Sequence, residues 1–177
     1  MPDTLLDMTT CQTLTVDYED EVKNTRKLLE RVPLDDAHRS FQPHPKSMTL
    51  GQLALHTAMI PATTARITAN DTFEVDPARF GKVLQPASVA EITKAFEDSV
   101  AAAKSYLEGL SAEKAETVWR VNAGDREIVS MPRKWALRSI MFNHLYHHRG
   151  QLSVYLRLLD IPVPIIYGAS ADESPFG

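Results

Sequence analysis

The stretch Asn143-His144-Leu145-Tyr146-His147-His148-Arg149-Gly150-Gln151 gathers three of the chain's six histidines into one short segment. His144 and His148 stand four residues apart, and on a helix that spacing places two imidazoles side by side. Leu137, Met141, His144, His148, Leu152, Tyr155 and Leu159 recur at intervals of three and four. This predicts a long helix whose core-facing stripe carries both histidines. His147 lies roughly 100° round from that stripe and is expected at its rim or in solvent. A second helix is predicted from Leu50 to about Ala69. Its stripe of Leu53, His56, Ile60, Thr63 and Ile67 again puts a histidine where an apolar residue would stand. Pro61, one turn beyond His56, lacks an N–H and is expected to disturb the helix beside it.

A buried imidazole needs partners for both nitrogens. Spacing alone leaves two readings open: core histidines with hydrogen-bond partners, or ligands to a transition metal. Three neutral imidazoles, His56, His144 and His148, suit Zn(II), Ni(II) or Fe(II). Three protein ligands with an open position form the catalytic pattern. A metal there would polarise an oxygen or lower the pKa of a bound water or thiol. Gln151 falls about 20° from His144 around the helix and could line the pocket. Neither stripe offers a carboxylate as general base. His38 and His44 sit in a proline-rich loop and are given no role.

Charged residues make up 24% of the chain and the formal charge is −4. That balance argues against a general nucleic-acid surface, which rests on clustered Lys and Arg. No apolar run approaches the ~20 residues that span a bilayer. The opening Met1-Pro2-Asp3-Thr4 lacks the basic and apolar regions of a secretory signal, so the expected location is cytoplasmic. A single cysteine, Cys11, rules out an intramolecular disulfide and fits a reducing compartment. No basic neighbour suggests a reactive thiol there.

The elements that must position the histidines follow from periodicity and punctuation. A first helix is predicted from about Gln12 to Val32, ended by Pro33, with Leu14, Tyr18, Val22, Thr25, Leu28, Leu29 and Val32 inward. A third runs from about Ser88 to Leu110 on Ile92, Phe96, Val100, Ala103, Leu107 and Leu110. Glu116–Met131 reads as a short hairpin or an irregular crossover. Gly150 inside the last helix costs up to ~1 kcal/mol relative to Ala, for which a closely approaching backbone is one reason. Arg149 and Arg157 are expected on a solvated flank. Four long helices without a convincing sheet predict an all-α class: one four-helix bundle domain over residues 1–177, with long crossover connections.

The segment Asn143–Gln151, together with Tyr155-Leu156-Arg157, the tail Pro164-Ile165-Ile166-Tyr167-Gly168-Ala169-Ser170-Ala171-Asp172-Glu173, and upstream Pro43–His56, resembles the DinB-like (DNA-damage-inducible) metal-binding proteins. The resemblance implies an up-down-down-up four-helix bundle, commonly a homodimer. It implies a mononuclear Zn or Ni site at His56, His144 and His148, with Gln151, Tyr167 and Asp172 as candidates for the pocket or its surroundings. Relatives of that family include bacillithiol- and mycothiol-dependent S-transferases and metal-dependent hydrolases. The expected activity is therefore thiol S-transfer to a small electrophile, using a low-molecular-weight thiol. The alternatives are metal-dependent hydrolysis, with Asp172 or Glu173 as base if the tail folds over the site, and a non-catalytic stress-induced metal-binding protein.

Overall fold

Side-chain caps set where the helices begin. Thr49 accepts the Gln52 N–H at 3.1 Å while the Gln52 side chain accepts the Thr49 N–H at 2.9 Å. This reciprocal box starts the helix that carries His56. Ser88 and Ser111 accept from Glu91 and Lys114 in the same way. The structure is a computed structural model that describes residues 10–78 and 81–176; Met1-Pro2-Asp3-Thr4 lies outside the described residues. In chain order come helices α1 (Thr10–Leu29), α2 (Asp36–Arg39) and α3 (Leu50–Thr68), strand β1 (Thr72–Glu74), and helices α4 (Val89–Glu108) and α5 (Ala112–Glu116). Strands β2 (Val118–Ala123) and β3 (Arg126–Pro132) follow. The final helical run joins α6 (Arg133–Ala136), a π-helical turn (Leu137–Asn143) and α7 (His144–Leu158).

Helix α3 is central. It packs against α4, α7 and the π-turn, and Leu53, Ala54, Leu55, Thr57, Ala58, Ile60, Thr64 and Ala65 bury it on several sides. One apolar cluster joins Leu28, Leu53, Phe96, Leu152 and Leu156; a second joins Leu14, Tyr18, Leu107, Leu137, Met141 and Phe142. Each large side chain so buried contributes about 1.5–3 kcal/mol. Between Phe142 of the second cluster and Leu152 of the first lie His144 and His148. The disturbance expected at Pro61 is met by α4: Ser99, itself buried, accepts the Ala62 N–H at 3.0 Å.

The all-α expectation is corrected by a three-stranded sheet, so the described residues form a mostly helical fold with a small sheet. β2 and β3 pair antiparallel, and Gly124, at φ +58°, opens their two-residue turn. The hairpin was legible from its turn residues. β1 was not, because it pairs parallel to β2 (Phe73 with Val121) across a long interval of chain, and a three-residue strand shows no alternation. Trp119 locks the hairpin onto the end of α3, fully buried with its Nε1–H donated to Ile67 O at 2.9 Å.

Two further expectations are revised. Nothing lies within 4 Å of a Cβ built on Gly150, so no close backbone explains that glycine. Arg149 is buried, not solvated. Its guanidinium pairs with Glu21 of α1 at 2.6 Å and donates to Thr25 Oγ1 and the Tyr167 hydroxyl. Arg157, by contrast, is exposed. Beyond α7 the chain turns at Asp160 (φ 57°), where the Asp160 and Ile161 amides bond Arg157 O and Leu156 O. The tail then folds back along α1, where Lys27 donates to Ile165 O and Arg31 pairs with Glu173. Among the described residues no helix is long and apolar enough to cross a membrane.

Candidate metal centre

His56 enters the site two turns into α3, and His144 and His148 come from the first turns of α7. Their Nε2 atoms converge: His56 to His144 is 3.4 Å and His144 to His148 is 2.8 Å. One ligand atom from each ring lies within 4.8 Å of the others, and no carboxylate or thiol joins the cluster among the described residues. The ring centroids stand 4.5–5.2 Å apart, edge to face. Four-coordinate zinc with nitrogens at 2.0–2.1 Å needs neighbouring nitrogens about 3.3–3.4 Å apart. The His56–His144 separation meets that spacing. The His144–His148 separation is that of a hydrogen bond with one shared proton, so a cation requires these two rings to part by about half an ångström. The third pair, His56 and His148, has ligand atoms within 4.8 Å of one another, and with the rings so adjusted the three neutral nitrogens form a group that could hold a divalent transition metal.

Burial sets their protonation. It pushes His56 down to about 4, with a smaller push from His144. Burial likewise brings His148 to about 4, helped by His56 and opposed by its bond to Gln151. His144 is lowered by burial and by His147, against a hydrogen bond to the Ile140 backbone that raises it. At neutral pH the rings therefore keep lone pairs available to a cation.

Of the residues expected around the site, Gln151 is there: its Oε1 lies 2.8 Å from His148 Nδ1. A carbonyl at that position orients a ligating imidazole and fixes its tautomer. His147 is exposed, its ring 4.8 Å from that of His148. Tyr167 and Asp172 are engaged elsewhere. The Tyr167 hydroxyl donates to Glu21 at 2.8 Å and accepts from Arg149. Asp172 pairs with Arg157 and accepts the Val163 N–H at 2.8 Å. Its carboxyl is held below the usual range, first by the Arg157 bond and then by that amide. Glu173 is taken by Arg31 and the Ile165 N–H. These contacts occupy both tail carboxylates that were candidates for a base. His38 pairs with Asp35, and His44 accepts the Lys46 N–H. Cys11 is buried, which raises its thiol pKa, with a smaller effect from Glu116.

Sequence reasoning missed Glu21 and Thr64. Glu21 had a signal: it sits at helical spacing between Tyr18 and Thr25 on a buried stripe, as Arg149 does between Leu145 and Leu152. Two charges on two buried faces imply each other. Thr64 had none, because its partner is a backbone carbonyl of a distant segment, Ile140 O at 3.3 Å.

This predominantly helical fold with its histidine cluster defines a class of protein that could hold a divalent metal. The DinB family model matches residues 1–175, and the chain belongs to that family. It is 29% identical over 160 residues to the uncharacterized protein YrdA of Bacillus subtilis (strain 168), spanning 88% of this chain and 87% of that protein. Among solved structures, it is similar to a DinB-like protein from Bacillus cereus ATCC 10987, with 25% identity and a TM-score of 0.64 over 87% of this chain and 95% of that one. The fold is also that of a DinB-like protein from B. subtilis, YjoA, with a TM-score of 0.65, 17% identity and coverage of 87% and 97%. A DinB family protein from Exiguobacterium sibiricum 255-15 has a TM-score of 0.62, 20% identity and coverage of 89% and 97%.

Proposed function

We propose that the protein is a metal-dependent thiol S-transferase, joining a low-molecular-weight thiol to a small electrophile. The observation that carries this reading is the convergence of three imidazole nitrogens with no carboxylate or thiol among them in the described residues. A structural zinc site is ordinarily closed by four protein ligands, whereas three leave a position for an exogenous molecule. His56, His144 and His148 would hold Zn(II) or Ni(II), with Fe(II) also suited to the donor set. Such an ion supplies Lewis acidity that lowers the pKa of a thiol toward neutrality. The chain's own residues hold the three nitrogens and orient His148 through Gln151, and among the described residues no carboxylate or thiol joins the histidine cluster. Thiol chemistry suits a site without a base, because the S–H proton is lost to solvent before the sulfur attacks carbon and the leaving group departs. The engagement of Asp172 and Glu173 by arginines and backbone amides weighs against a hydrolase that draws its base from the tail. The same reading takes the four long helical runs as an up-down-down-up bundle, and the protein as a cytoplasmic homodimer.

Elemental analysis of natively purified protein beside the His56→Ala, His144→Ala, His148→Ala triple variant tests the metal. The expected result is about one transition metal per chain, lost in a variant that stays folded. Loaded protein is then assayed for conjugation of small thiols to electrophiles. Hydrolysis without conjugation would assign the hydrolase instead. Metal without either turnover would assign a stress-induced metal-binding protein, and failure to take up Zn or Ni at all would overturn the metal reading.

A further inference from the structure

Two contacts fix how α3 and α7 run past each other. The Tyr155 hydroxyl donates to Met48 O at 3.0 Å, just before α3 begins, and Thr64 Oγ1, two turns beyond His56, lies 3.3 Å from Ile140 O. The helices are therefore antiparallel. His56 is level with the turn from His144 to His148, Met59 with His144, and Gln52 with Gln151. At 100° per residue Gln52, Met59 and Thr63 share the His56 side of α3, while His147 and Gln151 share the His144 side of α7, with Val154 next to them. These strips flank the cluster where it meets solvent: Met59, Thr63, His147, Gln151 and Val154 are exposed, whereas His148 is buried. The loop before α4 closes one end. Val83 O accepts from the Gln52 amide at 3.3 Å and the Gln85 side chain accepts the Thr49 hydroxyl at 2.6 Å, which leaves Leu84, between them, in solvent. Gly51 permits that approach, since a Cβ there would stand 2.9 Å from Gln85 Nε2 and 3.2 Å from Pro86 Cγ.

The mouth so formed is apolar and carries no charge on either helix face. From Leu50 to Ala65 there is no Asp, Glu, Lys or Arg, in a chain of which 24% is charged. Burial explains this for the inward positions, but Met59 and Thr63 face water. Between Asn143 and Val154 the one charged residue is Arg149, buried and paired with Glu21 of α1. Arg66 is drawn away over the Phe73 ring at 6.0 Å, and Lys82 is exposed on the loop. Large apolar side chains left in water around a few convergent polar groups are the mark of a ligand site, and methionine adapts its shape to what it binds. We propose that this mouth selects an uncharged, apolar electrophile, with Met59 as the residue that decides. The inference rests on the metal and thiol-transfer reading above and names its second substrate. With a carbon–chlorine electrophile the S–C bond forms as the C–Cl bond breaks, chloride leaves with the bonding pair, and the thiol proton passes to solvent. A carboxylate on the electrophile would lie against Met59 and Leu84 with no cation on either helix face to offset its lost hydration.

Metal-free protein with ¹³C-labelled methionine methyls is titrated with toluene, an unreactive probe, and with 4-methylbenzoate, its anionic counterpart. The Met59 signal is assigned from Met59→Leu. Toluene is expected to move it saturably and 4-methylbenzoate to leave it in place. Zinc-loaded protein is then given 2-mercaptoethanol with benzyl chloride or 4-(chloromethyl)benzoate. After subtraction of the uncatalysed rates, kcat/KM should favour the neutral chloride by about tenfold or more. Met59→Lys, at a position 45% exposed where a long polar chain can reach water, should lower kcat/KM for benzyl chloride by about tenfold and erase that preference. A Met59 methyl that toluene does not move, or that 4-methylbenzoate moves equally, overturns the inference, as does a Met59→Lys protein with wild-type discrimination. Toluene binding at Met59 without conjugation of either chloride sustains the apolar mouth and overturns the transferase reading. Equal conjugation of both chlorides with an unmoved Met59 signal does the reverse.

Discussion

Replacing Arg149 by Met while leaving Glu21 in place should destabilise the fold by about 3–5 kcal/mol. The two side chains are 3% and 10% exposed, and Nη1 lies 2.6 Å from Oε2. At an effective dielectric near 20, unit charges about 3 Å apart attract by roughly 5 kcal/mol. Desolvation offsets most of that when both charges are absent, but not when one remains buried alone. Glu21→Leu is expected to cost a similar amount, because it strands the guanidinium with only Thr25 Oγ1, Glu21 O and the Tyr167 hydroxyl. The double variant Glu21→Leu, Arg149→Met should recover to within about 1 kcal/mol of wild type. Thr25 Oγ1 and Glu21 O then lose the guanidinium but keep their own bond at 2.7 Å, and the Tyr167 hydroxyl, on a residue 69% exposed, exchanges its partners for water. Urea unfolding of chelator-treated protein measures the cycle, and thermal midpoints should drop by roughly 6–20 °C in the single variants. Single variants that cost under about 1 kcal/mol, or a double variant whose cost is the sum of the two, would refute the account of a mutually dependent buried pair.

Three other outcomes are expected. His56 and His148 are held near 4 against 6.5 in the unfolded chain. The unfolded state therefore binds more protons between those values, and metal-free stability, complete above about pH 6.5, falls as pH drops toward 4. His148, 8% exposed, accounts for up to about 3 kcal/mol of this, so urea midpoints at pH 7 and 4.5 should converge in His148→Asn; an unchanged pH slope in that variant would sink the argument. Gln151→Leu removes the partner of His148 Nδ1 and should weaken zinc binding by about 10–100-fold with little change in thermal midpoint; equal affinity in chelator competition would show that Gln151 orients nothing. Gly150→Ala should stabilise by about 0.5–1 kcal/mol, since a Cβ there meets nothing within 4 Å, and a lower urea midpoint would contradict it.

Helical faces are local properties, and these could be read from the chain. The stripe of α1, the starts of α3 and α4, and the inward placement of His56 and His148 depend on residues within a turn or two of one another. A histidine where a leucine is expected is visible without knowing what it meets. The class of fold was legible less completely. β1 exists because Phe73 finds Val121 far along the chain, and no local periodicity encodes that pairing. Arg149 looked like a flank residue until Glu21 came to face it, since burial of a charge is decided by its counter-charge. The π-turn belongs to the same kind. Nothing in Leu137–Asn143 announces it, and Thr64, which reaches Ile140 O at 3.3 Å, comes from another helix far along the chain. Sequence thus determined which faces turn inward, through short-range spacing. Tertiary structure decided which buried polar groups are affordable, because each needs a partner that only the folded chain brings within reach.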